Sequence, residues 1–273
     1  MPSRFRSLAT SLPLIAGAAL VIRISSAWIY QSHTPHQGLA AVPFLFESGN
    51  IAVSLARGNG FGSPLRIETG PTAWMTPIYP LLLSAIMRIF GVYTFASWLA
   101  AVAMNVCFSS LACVPLYFAG MRIKGIGLAS TAAWLWAIFP NAILLSYQSL
   151  WDTSLSALLG ATVLWATLRI ADSDDERDWT LYGLLWGIVL MTNAAVLSIL
   201  PPLLGWAAFR HRGSLKNATL AAGMIVLACT PWTLRNYMVF HSLVPLRSPL
   251  GLQLWAGNNP QAKVIWLGDH HPM

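Results

Sequence analysis

The segment FESGNIAVSLARGNGFGSPLRIETGPTAWMTPIYP, residues 46–80, decides how this chain is organised, because it concentrates glycine, proline and charge between two strongly apolar blocks. Residues 47–57 predict a short amphipathic helix with a polar arc that includes Glu47 and Ser54 and an apolar arc around Ile51. We expect such a helix to lie on a membrane surface rather than to span the membrane. Gly58 and Gly60 follow it, and glycine accepts the left-handed conformations that end helices.

The composition indicates a membrane protein. Of the 273 residues, 56% are hydrophobic and only 9% are charged, whereas a soluble domain carries about 25% charged residues. Lipid must therefore cover most of the surface. The net charge of +7 is typical of oriented spans and of contact with anionic lipid. No basic and aromatic pattern indicates a nucleic-acid partner.

The apolar segments predict an all-α, multi-pass transmembrane bundle in one domain, with about seven spans. Basic clusters at residues 4–6, 122–124 and 210–216 mark one side, so we expect a cytoplasmic N terminus and an outer C terminus. The long first outer loop, residues 31–94, contains the surface helix and a second juxtamembrane or re-entrant helix at residues 77–90, too short to span. The predicted spans are residues 12–30, 95–118, 127–145 (bent near Pro140), 155–171, 181–209 (a hairpin broken at Thr192-Asn193) and 218–234.

Three charged segments have simple expected roles. Arg23 lies inside the first span, where an arginine costs roughly 3 kcal/mol or more at mid-bilayer. It either pairs with an acid or a lipid phosphate inside the bundle, or it snorkels to an interface. We expect the acidic run at residues 172–178 to be a solvated cytoplasmic loop, and residues 235–237 to begin the outer tail.

Glu47 is the best candidate for chemistry, because it leads the predicted surface helix in the first outer loop. Its alternative role is to stabilise the helix N terminus through the helix dipole. Glu68, the other acid of that loop, has loop solvation as its simple role. For Asp152, in the next outer turn, we favour an N-cap on the helix that begins at Thr153.

The stretch around Thr72 and Trp74 is rigid and nearly uncharged, and its backbone donors and hydroxyls suit a phosphate or a sugar. Trp74 either stacks on a sugar or sits in the headgroup layer. Arg235 either binds a lipid phosphate or snorkels at the interface. The run Asp269-His270-His271 is too isolated to indicate a metal site, so we expect no metal and no cofactor.

Several motifs now point to a family. After an N-terminal span, the outer loop reads E-S-G-N-I-A-V-S-L-A-R-G-N-G-F, then G-P-T-A-W-M-T-P-I-Y-P-L-L-L, then F-G-V-Y. In order and membrane placement these motifs resemble the multispanning GT-C-type glycosyltransferases of family 39, which include protein mannosyltransferases and lipid A aminoarabinose transferases. P-W-T-L-R-N-Y at residues 231–237 and G-N-N-P at residues 257–260 resemble a later outer segment of bacterial members. The resemblance covers essentially the whole chain.

The resemblance implies transfer of a sugar from a polyprenyl-phosphate donor to a hydroxyl of a lipid, glycan or protein acceptor, at the outer face of the inner membrane. It implies an inverting reaction in which a loop carboxylate, here Glu47, deprotonates the acceptor, and such a base contributes about 10²–10⁴-fold. Positive charge or backbone donors must also stabilise the leaving phosphate. The candidate substrate-binding residues are Asn50, Glu68, Thr72, Trp74, Tyr79, Arg66, Arg88, Arg235 and Asn236.

The sequence departs from the family pattern in two ways. Relatives carry an Asp, often paired with a second acid, just before the first-loop helix, where this chain has Phe44-Leu45-Phe46 and then Glu47. The aminoarabinose branch has a lysine near residues 72–76 that is missing here, so phosphate binding falls to Arg66, Arg88 or Arg235. Relatives continue into further spans, so we expect a longer protein. The missing acid keeps open a second function, which is non-catalytic binding or transport of polyprenyl lipid.

Overall fold

A computed structural model describes residues 10–33, 46–65, 67–210 and 215–258. Within these residues the chain is all-helical, and extended pairing is confined to one bridge between Gly62 and Pro71. A 3₁₀ helix, Ala194–Ile199, connects α9 to α10. The α-helices are α1 Leu12–His33, α2 Glu47–Ala56, α3 Ile78–Phe90, α4 Phe95–Leu111, α5 Cys113–Lys124, α6 Ile126–Ile138, α7 Pro140–Leu145, α8 Thr153–Ile170, α9 Glu176–Thr192, α10 Leu200–Arg210, α11 Leu215–Phe240 and α12 Leu250–Asn258.

Four of the described helical segments are long and apolar enough to cross a membrane: α1, α4 with α5, α8 and α11. The prediction of a helical membrane protein is confirmed to that extent. Helices α3 and α6 are apolar but shorter, as is the segment formed by the 3₁₀ helix and α10.

The predicted interruptions occur where the sequence indicated them. Helix α6 ends at Ile138, Phe139 is extended, and α7 begins at Pro140. Proline suits this first helical position because it has no N–H to satisfy. Helix α9 ends at Thr192, and the side chain of Asn193 accepts a hydrogen bond from the Ala195 N–H to start the 3₁₀ helix.

Two boundary predictions were wrong. Helix α9 begins inside the acidic run, because Asp175 accepts a hydrogen bond from the Arg177 N–H and so caps the helix. Acids in a first helical turn are also favoured by the helix dipole. Helix α11 continues to Phe240, so Arg235 and Asn236 lie on a helix and not in a tail.

Ion pairs join neighbouring helices at one end of the described bundle. Asp172 lies 2.9 Å from Arg122 and 3.7 Å from Arg210. Arg169 pairs with Asp178, and Lys216 with Glu176. The acidic run therefore neutralises the ends of neighbouring helices, in addition to being solvated as predicted.

Helices α9 and α11 approach closely through glycine. A Cβ atom at Gly183 would collide with the Ala221 carbonyl, and one at Gly187 would collide with the Ala228 side chain. The two glycines are four residues apart and so lie on one helix face, which lets the backbones meet, as small residues do in membrane helix pairs. The core beside this contact contains the buried Trp179, Tyr182 and Trp186.

Arg23 is fully buried in the bundle and does not snorkel. Its Nε donates to Ser109 Oγ at 2.8 Å, and its two terminal nitrogens donate to the carbonyls of Ala137, Trp136 and Ala19 at 3.0–3.2 Å. Within the described chain no acid pairs with it. Of the two alternatives for Arg23, a position inside the bundle is the one observed, but Ser109 and backbone carbonyls, two of them near the end of α6, take the place of an acid or a lipid phosphate.

The predicted first-loop helix is confirmed as α2, and Gly58 and Gly60 end it with φ of 87° and 82°. Its polarity is less one-sided than predicted. Ser54 is buried with Ala52 and Val53, and its hydroxyl donates to the Gly60 carbonyl. Helix α2 is therefore packed into the protein, mainly against α3, and most of its residues are buried.

Candidate functional site

The candidate site begins at the N terminus of α2, where Glu47 is half-buried. No side chain caps this helix end. Among the described residues no hydrogen-bond or ion-pair partner reaches the Glu47 carboxylate. The carboxylate therefore has its acceptor capacity available, next to the positive end of the α2 dipole.

The start of α2 contacts the turn that precedes α8. Ser48 Oγ donates to the Leu150 carbonyl at 3.0 Å. The rings of Phe46 and Trp151 meet edge to face, with centroids 5.0 Å apart. Glu47 directly follows one of these aromatic residues and Asp152 directly follows the other. The two segments that carry these acids, 105 positions apart in the sequence, therefore lie next to each other.

Asp152 does not act as the predicted helix cap. Its side chain makes no capping hydrogen bond to the α8 backbone. Instead Oδ2 accepts from Ser156 Oγ at 3.0 Å and from Asn193 Nδ2 at 2.9 Å. The residue before α8 adopts helical dihedrals, which turn its side chain away from the first-turn N–H groups.

The surroundings of Asp152 perturb its ionisation. Burial raises the pKa of the Asp152 carboxyl, and the bonds from Ser156 and Asn193 and the charge of Arg247 lower it in part. A carboxyl with a raised pKa holds its proton closer to neutral pH, as many catalytic carboxyls do. Asp152 is therefore a candidate active-site residue, whereas its position in the sequence had favoured an N-cap role.

The raised pKa of Asp152 predicts a pH effect on stability. The folded chain binds this proton more tightly than the unfolded chain, so stability falls as pH rises from the ordinary aspartate pKa through the raised one. We expect Asp152→Asn to remove this fall of stability with pH. The measurement is the unfolding temperature in detergent across acidic pH. Asn193→Ala deletes a hydrogen bond that lowers the pKa of Asp152. The pH range over which stability falls should therefore extend to higher pH. Asp172→Asn is the exposed control, and an unchanged profile in Asp152→Asn would contradict the prediction.

The loop at residues 61–72 is closed on itself and clamped to α11. Ser63 N donates to the Gly70 carbonyl at 2.8 Å. Arg235 donates to the carbonyls of Thr72 at 2.7 Å and Phe61 at 2.8 Å. Its guanidinium also lies 5.0 Å from the Trp232 ring centroid. The two terminal nitrogens of Arg235 thus donate to backbone carbonyls. From the sequence, a lipid phosphate had been one alternative partner for this guanidinium.

Most other predicted binding residues make hydrogen bonds within the protein. Trp74 is half-buried, and its backbone N–H donates to Thr72 Oγ1. Tyr79 is buried and shares a hydrogen bond with the Asn105 side chain. Asn236 is buried and donates to the Val244 carbonyl.

Arg88 donates to the Leu55 carbonyl at 2.7 Å and so satisfies the C-terminal end of α2. Asn50 and Glu68 line one cleft beside that end of α2. Arg66 and the run 269–271 lie outside the described residues. Within the described chain no cluster of three potential metal ligands occurs.

Arg247 is the cation that the sequence analysis missed. It lies close enough to Asp152 for its charge to lower the pKa of that carboxyl. The neighbouring Ser248 N–H donates to the Ala73 carbonyl at 2.9 Å, which attaches this segment to the first loop. No local pattern marks Arg247, because its position depends on a contact 175 residues away along the chain.

Comparison with known proteins adds no neighbour: no family model matches the chain, and neither a curated protein nor a solved structure is significantly similar to it. The assignment to the GT-C-type glycosyltransferases therefore rests on the motifs in the sequence and is a proposal.

Proposed function

We propose that the chain is a membrane glycosyltransferase of the GT-C type that moves a sugar from a polyprenyl-phosphate donor to an acceptor hydroxyl. The observation that carries the proposal is the contact between the start of α2 and the turn before α8, because Glu47 and Asp152 belong to these two adjoining segments. The family pattern has paired acids in the first loop. In this chain the second acid comes from a different segment.

The proposed chemistry is a direct displacement. Glu47 removes the proton from the acceptor hydroxyl, whose oxygen attacks the anomeric carbon while the polyprenyl phosphate leaves with the bonding electrons. Glu47 is preferred as the base because its carboxylate has no partner among the described residues, whereas Asp152 already accepts two hydrogen bonds. Asp152 and Asn193 orient the substrate hydroxyls, and Arg247 stabilises the charge on the leaving phosphate.

A groove of about 310 Å³ between α9 and α11 suits the apolar chain of the donor. It is lined mainly by aliphatic side chains, among them Leu190, Ile225 and Leu246. Thr233 also lines it, two residues before Arg235, so the groove leads toward the clamped first loop. A lipid tail there would carry its phosphate to the outer face.

We further propose the complete topology of about seven inner-membrane spans, with the N terminus cytoplasmic and the first loop outside. Its support is that ion pairs collect Arg122, Arg169, Arg210 and Lys216 at one end of the bundle. A one-sided basic cluster is typical of a cytoplasmic face.

The test is transfer of labelled sugar by the purified chain in lipid nanodiscs, with a panel of polyprenyl-phosphate sugars. The proposal expects multiple turnovers and release of polyprenyl phosphate. The groove also favours a second function, which is binding or transport of polyprenyl lipid without chemistry. Saturable donor binding with no turnover in any donor and acceptor pair would favour that function and exclude the transferase.

A further inference from the structure

A small polar cleft lies along α2, lined on its other side by Tyr93 and by the loop residues Asn59, Ser63, Leu65, Ile67 and Glu68. Its volume is about 120 Å³, the share of roughly four water molecules in the liquid. We propose that this cleft binds one anionic sugar residue of the acceptor, either a uronic acid or a phosphosugar. The inference rests on the proposed function for the identity of the acceptor.

The walls of the cleft are held in place by hydrogen bonds. Asn50 Nδ2 donates to the Pro64 carbonyl at 2.9 Å, and Ser54 Oγ donates to the Gly60 carbonyl at 2.9 Å. The strand-like closure of residues 61–72 supports the opposite wall. A preorganised wall lowers the entropic cost of binding.

Backbone strain is concentrated at this cleft. Ser63 has φ of 52° and Tyr93 has φ of 59°, and both line it. In the described part of the chain, His241 is the one other non-glycine residue with positive φ. A bulky residue in this conformation is uncommon, and such strain clusters at functional sites.

Two opposite charges line the cleft without neutralising each other. In the described chain, neither Arg57 nor Glu68 has a side-chain hydrogen bond or ion pair, and both side chains are exposed. Arg57 suits a carboxylate or phosphate, and Glu68 accepts hydrogen bonds from hydroxyls.

An anionic sugar uses both charges, whereas other ligands use one. A bare phosphate suits Arg57 but is repelled by Glu68, and a neutral sugar leaves Arg57 without an anion. One carboxylate is too few for a divalent cation, which needs several oxygen ligands.

The cleft runs along α2 from Asn50, one turn from Glu47, to Arg57, and only its charged end lies away from the reacting centre. Arg57 follows Glu47 by ten residues along α2, which corresponds to roughly 15 Å at the helical rise of 1.5 Å per residue. The sugar in the cleft is therefore a distal unit of the acceptor. Binding energy from such remote groups helps to orient the reacting hydroxyl.

The test measures sugar binding to the full 273-residue chain in nanodiscs by saturation-transfer NMR. The probes are methyl glucuronide, glucose 6-phosphate, methyl glucoside and inorganic phosphate. We expect both anionic sugars to bind about tenfold more tightly than methyl glucoside, the effect of one charge-assisted hydrogen bond. Arg57→Gln should remove that preference, and Glu68→Gln should weaken all three sugars. Arg177→Gln, a change at an exposed arginine at the start of α9, should have no effect.

The proposal would be overturned if Arg57→Gln bound the anionic sugars as tightly as the parent does. It would also be overturned if the folded parent showed no saturable sugar binding. The same holds if phosphate binds as tightly as glucose 6-phosphate. Turnover measured on the same samples separates the two proposals. If Arg57→Gln transfers sugar normally with an unchanged acceptor KM, only the proposed role of the cleft is rejected. If sugar binding depends on Arg57 but no transfer occurs, the role of the cleft is supported and the transferase function is rejected.

Discussion

Glu47→Gln is expected to lower sugar transfer by about 10²–10⁴-fold, the contribution of a general base. The amide keeps the size of the side chain but cannot take a proton from the acceptor hydroxyl. Because Glu47 makes no side-chain hydrogen bond among the described residues, the fold should be unaffected. The measurement is kcat with a labelled polyprenyl-phosphate sugar, together with the unfolding temperature of each variant.

Two further variants sharpen this experiment. Asp152→Asn retains bonding capacity toward Ser156 and should reduce transfer less than Glu47→Gln, because Asp152 is proposed to position the substrate. Glu176→Gln changes an exposed acid that pairs with Lys216 away from the candidate site, and it should leave transfer unchanged. Undiminished transfer by Glu47→Gln would remove Glu47 from the mechanism. Complete loss in Asp152→Asn alone would move the base to Asp152.

Arg23→Met is expected to destabilise the bundle by about 3 kcal/mol or more. Methionine fills a similar volume but donates no hydrogen bond. The carbonyl of Ala137 and the hydroxyl of Ser109 would lose their Arg23 donors inside the bundle, and a buried acceptor without a donor costs about 1–3 kcal/mol. The Trp136 carbonyl would also lose its Arg23 donor but would keep the hydrogen bond from the Phe139 N–H.

The measurement is unfolding of the purified chain in mixed micelles. Arg122→Met is the matched control, because Arg122 forms an exposed ion pair with Asp172, and such a pair contributes at most about 1 kcal/mol. Arg23→Lys should fall between the two, since one ammonium cannot reach all the acceptors of the guanidinium fork. An Arg23→Met chain as stable as the Arg122→Met chain, or more stable than the parent, would mean that burying the charge costs as much as its bonds contribute.

The local features of the fold could be predicted from the sequence. The start of α2 at Glu47, its end before Gly58, and the breaks at Pro140 and Asn193 all follow from the conformational preferences of neighbouring residues. The apolar composition likewise predicted helices that cross a membrane, and four of them are long enough. These properties depend on interactions within a few positions of the chain, so a pattern in the sequence records them.

The partners of the charged groups depended on the tertiary structure. Arg235 reaches carbonyls 163 and 174 residues away, and Asp152 is held by Asn193, 41 residues further along. Arg23 is satisfied by the end of a helix that passes beside it rather than by an acid. Backbone carbonyls are present at every residue, so the sequence cannot indicate which of them a buried arginine will meet. The sequence by itself determined the helices, their breaks and the residue types of the first loop, whereas packing decided which distant side chains meet around it.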